Sequence, residues 1–114
     1  MNNQILIPPR LRDDAERFCC IMLSVSGADA TLESRRRPVV MARVMVANAL
    51  MMAGHSGIST GIILGIDHST VHYYKKKMSE ILSAPGYDAE RQIWKKFNER
   101  LKEDYDETGK TESA

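Results

Sequence analysis

The sequence has few of the features that staple or anchor a small protein. Only two cysteines occur among its 114 residues, and they are neighbours, Cys19 and Cys20. Adjacent cysteines bridge poorly, so no disulfide framework is implied and the pair reads as reduced thiols. Two thiols alone make no metal site. Long apolar runs are missing as well. The apolar stretch Val44 to Ala53 is far shorter than the roughly 20 residues of a membrane-spanning helix. The start, Met1 to Gln4, is polar and shows no basic region followed by an apolar one, so no secretory leader is expected. These absences predict a soluble, cytoplasmic protein that does not contact membranes. The net charge of +1 is also small, and at face value it argues against nucleic acid.

What is present is enough for one ordinary core. Hydrophobic residues make up 43% and charged residues 27% of the chain, which excludes wholesale disorder and a collagen-like fibre. The length suits one domain. Residues 1–9 read as an N-terminal arm closed by Pro8-Pro9. From Arg10 to about Ser24, Leu11, Ala15, Phe18 and Met22 recur at helical spacing. Ser26-Gly27 stops that helix, and a basic loop follows, Ser34-Arg35-Arg36-Arg37-Pro38. Pro38 suits the first turn of a second helix, which runs to about Ala53. Gly54-His55-Ser56-Gly57 is a turn, Ile58 to Leu64 a short apolar helix, and Gly65-Ile66 a tight turn. Asp67 is a good N-cap for a helix from His68 to Leu82. Asp88 caps a last helix, Ala89 to about Lys102, with Ala89, Ile93, Phe97 and Leu101 on one stripe. Residues 104–114 read as a disordered acidic tail. With no strand pair and no repeat, the class is all-α, with about five helices.

The charge is segregated. Between Arg35 and Lys77 lie seven basic residues (Arg35, Arg36, Arg37, Arg43, Lys75, Lys76, Lys77) and one acid, Asp67. That block carries +6, which leaves −5 for the rest of a chain whose total is +1. A basic block is the usual electrostatic footprint for phosphate, although short basic runs also occur as plain solvated faces. On a helical wheel Val71, Tyr74, Met78 and Ile81 share one side of the fourth helix, with Leu82 at its edge. Ser69, His72, Tyr73 and Lys76 share the other, with His68 beside them. Small polar groups at the start and lysines further along are what a recognition helix presents to base edges and phosphates.

The segment Asp67-His68-Ser69-Thr70-Val71, followed by a basic amphipathic helix, resembles the signature of the C-terminal DNA-binding domain (domain IV) of the bacterial replication initiator DnaA. Ser34-Arg35-Arg36-Arg37 resembles that domain's basic loop, and Val39 to Met45 its next helix. Asp29 and Leu32 resemble the Asp-Leu before the loop, and His55-Ser56 a turn before its short helix. The similarity covers roughly residues 10–83. It implies a Trp-repressor-like helix-turn-helix over residues 10–103 that binds double-stranded DNA sequence-specifically. It implies base contacts from Asp67, His68, Ser69 and Thr70, and an arginine in the adjacent minor groove, carried here by Arg43. It implies backbone contacts from Arg35, Arg36 and Arg37. The wheel adds His72, Tyr73 and Lys76 to the DNA face, and the basic run adds Lys75 and Lys77 as phosphate contacts. The expected role is regulation of replication initiation or transcription at initiator-type sites, in a nucleoid-associated protein. The ATPase module of the full initiator is not in this chain.

Other chemistry is thin. His68 and His72 share a face but have no third ligand beside them. Ser69 and His72 lack an orienting acid, so no catalysis is expected. Gly109-Lys110-Thr111 mimics the end of a phosphate-binding loop, but the first glycine of that motif is replaced by Asp104. No cofactor or metal is expected, and Trp94 and Phe97 read as core or interface anchors. The alternative function is a protein-interaction module that keeps the fold and docks the initiator or its regulators. Leu64-Gly65-Ile66, standing where the family has Gly-Gly-Arg, favours that alternative.

Overall fold

A computed structural model describes the backbone of residues 8–113 and the side chains of residues 8–104. Among the described residues the fold is all-α, with five helices. They are α1 (Pro9–Ser26), α2 (Arg37–Met52), α3 (Gly57–Leu64), α4 (His68–Ser83) and α5 (Asp88–Ser113). No helix among the described residues is long and apolar enough to cross a membrane. Residues 1–7 of the expected arm lie outside the described residues.

Local chemistry sets the boundaries. Pro9 opens α1, where its missing donor costs nothing. Gly27, at φ +75°, ends it with a left-handed cap whose N–H returns to the Leu23 carbonyl. Ser56 caps α3, its hydroxyl accepting from the Ser59 N–H at 3.0 Å. Asp67 caps α4, accepting from the Thr70 N–H at 2.8 Å. The last helix departs from expectation at its far end. It runs to Ser113, past the expected helix end near Lys102. No proline interrupts that stretch, and Arg17 of α1 holds Asp104 at 3.1 Å.

The second helix is the centre of the molecule. Val44, Met45, Val46, Ala47 and Leu50 are all fully buried, so α2 is covered on every side and packs against α1, α3 and α4. Met22, Met41, Met45 and Met78 fill this core, whereas Met52 points to solvent. Asn48 ties α2 to α4 by donating to the Tyr74 carbonyl at 3.1 Å. The fifth helix closes the other side of α1. Phe97 is fully buried, meets Phe18 edge-to-face at 6.2 Å and stacks on Trp94 at 5.8 Å. The inward stripe of α5 begins with Glu90, not Ala89: Ala89 is exposed, and Glu90 is buried because it pairs with Arg37.

The turn between α3 and α4 depends on Gly61. A Cβ there would sit 2.8 Å from the Ile66 carbonyl oxygen and 3.3 Å from a Val71 methyl. That same stretch of backbone carries the Ile66 N–H to Gly61 O hydrogen bond. Gly61→Ala should therefore force the two helices apart and lower stability by about 1–3 kcal/mol. Gly57→Ala, whose Cβ would make an ordinary 3.5 Å contact with Val71, should leave stability unchanged or slightly raised. Thermal melts of the two variants test the contrast.

Candidate nucleic-acid interface

The sequence places Val71, Tyr74, Met78 and Ile81 inward, and all four are buried. Leu82, at the edge of that stripe, is instead 52% exposed. The opposite face of α4 is open: His68, Ser69, His72, Tyr73, Lys75 and Lys76 are exposed, and Thr70 is half-buried. This face is presented by the three-residue turn Gly65-Ile66-Asp67, with Gly65 at φ +70°. Asp67 accepts from both the Thr70 N–H and the Ser69 hydroxyl, each at 2.8 Å. These bonds, the Thr70 N–H foremost, hold its carboxyl below the usual carboxylate range. The start of α4 is thus ordered, with an ionised acceptor at its tip. One turn along, the imidazoles of His68 and His72 meet edge-to-face at 5.1 Å.

The basic residues divide into two groups. Among the described residues, no carboxylate pairs with Arg35, Arg36, Lys75 or Lys76, and all four are exposed. Arg37 and Lys77 are instead engaged with carboxylates at a cluster around Tyr87 that the sequence did not reveal, Lys77 largely covered and Arg37 still exposed. Arg37 donates to Glu90 at 2.9 Å and lies 5.3 Å from the Tyr87 ring. Lys77 donates to Glu80 at 3.0 Å and to the Tyr87 hydroxyl at 3.3 Å. The Tyr87 hydroxyl in turn donates to Glu80 at 2.8 Å. The hydrogen bond to Glu80, then that to Tyr87, raises the Lys77 pKa. Burial pushes Glu90 up, but the hydrogen bond and charge of Arg37 outweigh it and the net shift is down. The cluster brings the end of the basic loop beside the lysine run of α4. Its only sequence signal is the Ala84-Pro85-Gly86 turn, which folds Tyr87 back.

Arg43 does not join this surface. It is 4% exposed, and its guanidinium is held by backbone. Nη1 donates to the carbonyls of Ala30 at 2.8 Å and Leu32 at 3.0 Å, and Nη2 donates to Leu64 at 2.7 Å. The expected minor-groove contact is therefore corrected: Arg43 is a clamp between the loop after α1 and the end of α3. The physical reason is that residues 41–47 of α2 are all buried, so a side chain at position 43 has no open face to reach from. A second buried polar tie, His55 Nε2 to Asp14 Oδ2 at 2.7 Å, fixes the turn before α3 to α1. No group of three or more His, Cys, Asp or Glu able to hold a metal ion occurs among the described residues.

The two accounts of Arg43 differ in outcome. A clamp cannot be replaced by lysine, whose ammonium lacks the planar fork. Arg43→Ala should cost about 2–4 kcal/mol, because buried carbonyls lose their donors, and Arg43→Lys should recover only part of that. A groove-reading arginine would instead leave the melting temperature unchanged on substitution. Comparison of the chain with protein-family models, with curated proteins and with solved structures returns no match.

Proposed function

We propose that the protein binds double-stranded DNA sequence-specifically through α4, in the manner of the initiator's C-terminal domain that its sequence resembles. The observation that carries this reading is the exposed face of α4. Hydroxyl and imidazole groups of Ser69, His68 and His72 lie at the capped N-terminal end, and exposed Lys75 and Lys76 follow one to two turns later. Such a helix inserts its N-terminal side chains among base edges in the major groove while lysines meet phosphates. Arg35 and Arg36, on the loop that ends beside Tyr87, supply further phosphate contacts. Arg37 and Lys77 serve the fold. The proposed role is regulatory, at initiator-type sites in replication or transcription. It uses no nucleotide, metal or catalytic step and places the protein on the nucleoid.

One observation favours the interaction-module reading. The outer face of α3 is apolar, with Ile58 57% and Ile62 42% exposed, and Met52, the last residue of α2, is 72% exposed. The first helix of a helix-turn-helix crosses the DNA backbone, and this one carries no basic residue. A partner such as the initiator or one of its regulators fits that face better than phosphate does.

Titration of labelled duplexes, initiator-type boxes against scrambled sequence, at several salt concentrations separates the readings. DNA binding through α4 predicts a preference for one duplex set. Lys76→Ala should lower the salt slope by about one unit on every sequence. Lys77→Ala should lower the melting temperature more than the slope. Ser69→Ala should flatten preference at one base pair, by about 1–3 kcal/mol. Weak binding without sequence preference, or none, supports the interaction module instead.

A further inference from the structure

A groove of about 630 Å³ runs between α1 and the end of α3, away from the exposed face of α4. Its size falls within the roughly 300–1,000 Å³ of small-molecule sites. Ala15, Cys19 and Leu23 of α1 face Ile63 and Leu64 of α3 across it. The Cys19 thiol adds to the apolar wall, since burial, with Asp29 and Cys20 nearby, pushes its pKa up to about 11 and keeps it neutral.

The polar groups in this groove are unusual. Arg43 lines it while only 4% exposed. A guanidinium has five N–H donors, and three are taken by the Ala30, Leu32 and Leu64 carbonyls. The Nε–H and one Nη2 N–H have no acceptor among the described residues, and no carboxylate forms an ion pair with Arg43 there. A cation buried so fully is costly unless its charge is matched. Arg12, which is exposed, adds a second positive group to the lining. Two carboxylates share it, Glu16 and Asp29. Asp29 uses Oδ1 to accept from the Thr31 N–H and hydroxyl. Its carboxyl is held below the usual range by those bonds, the hydroxyl first.

Two cations and two carboxylates around an apolar wall do not suit a plain anion, which both acids repel. They suit one molecule that carries both signs on an apolar body. We propose that this groove binds a small zwitterion with an apolar side chain, of amino-acid or dipeptide chemistry. Its carboxylate meets the free donors of Arg43 and the Arg12 guanidinium, and its ammonium meets Asp29 and Glu16. The inference is independent of DNA binding. The same guanidinium holds Leu64, one residue before the Gly65 turn into α4, so occupant and DNA-facing helix share an anchor.

The test is calorimetry and thermal melting of the full chain with leucine, phenylalanine and leucyl-leucine. N-acetyl-leucine, leucinamide and inorganic phosphate serve as controls. At least one zwitterion should bind and raise the melting temperature by about 5 °C at roughly ten times its Kd. Acetylation or amidation should weaken it tenfold or more. Cys20→Trp, at an exposed position of α1 that borders the groove, should fold as the parent does and abolish the shift. The proposal is overturned if no zwitterion binds. It is equally overturned if the acetylated or amidated forms bind as well as the parent amino acid, or if Cys20→Trp binds undiminished.

Discussion

A guanidinium held at 4% exposure must find acceptors, and Arg43 finds three in two segments remote from it in sequence. Ala30 and Leu32 belong to the loop that leaves α1, and Leu64 to the last turn of α3. Loop and helix-end carbonyls lack helical partners of their own, and leaving them buried and unpaired is expensive. The clamp meets that need and fixes where α3 stops. From there the geometry is short-range. Gly65 turns the chain in its left-handed conformation, Gly61 lets the turn approach within contact, and Asp67 starts α4. The outward face of α4 is therefore set by a residue that never reaches it.

Folding also sorts the charges that the sequence groups together. The central block holds seven bases, but the structure gives them three fates. Arg43 is an internal clamp. Arg37 and Lys77 close on Tyr87 with Glu90 and Glu80, and this cluster joins α2 and α4 to the start of α5. Arg35, Arg36, Lys75 and Lys76 keep their charge at the surface. The free positive surface is smaller than the count suggests, and it lies where the basic loop and α4 come together. The near-neutral net charge hides this arrangement.

Much of the fold was legible because its signals are local. The inward stripe of α4, the Asp67 cap and the glycine stops depend on neighbours three or four residues away, and the chain states them directly. What was not legible depends on tertiary partners. A lone arginine in an apolar helix reads as an exposed reader until the whole circumference of α2 proves buried. The clue was there: Met41, Ala42, Val44, Met45 and Val46 leave Arg43 no polar side to share. The place of Glu90 on the inward side of α5 depends on Arg37, which lies 53 residues away. The Tyr87 cluster was invisible for the same reason. The far end of α5 lies past Lys102 because no proline breaks the stretch, a signal weaker than the inward stripe that marks the helix up to Leu101.

The account divides two kinds of basic residue, those that hold the fold and those that face outward. The most direct measurement is nuclear magnetic resonance of the labelled chain with and without a selected duplex, following backbone amides and arginine Nε–H signals. The account predicts perturbations at residues 67–76 and at Arg35 and Arg36, with the Arg43 Nε–H signal unmoved. Perturbation centred on Arg43, or confined to the outer face of α3 with α4 silent, would contradict it.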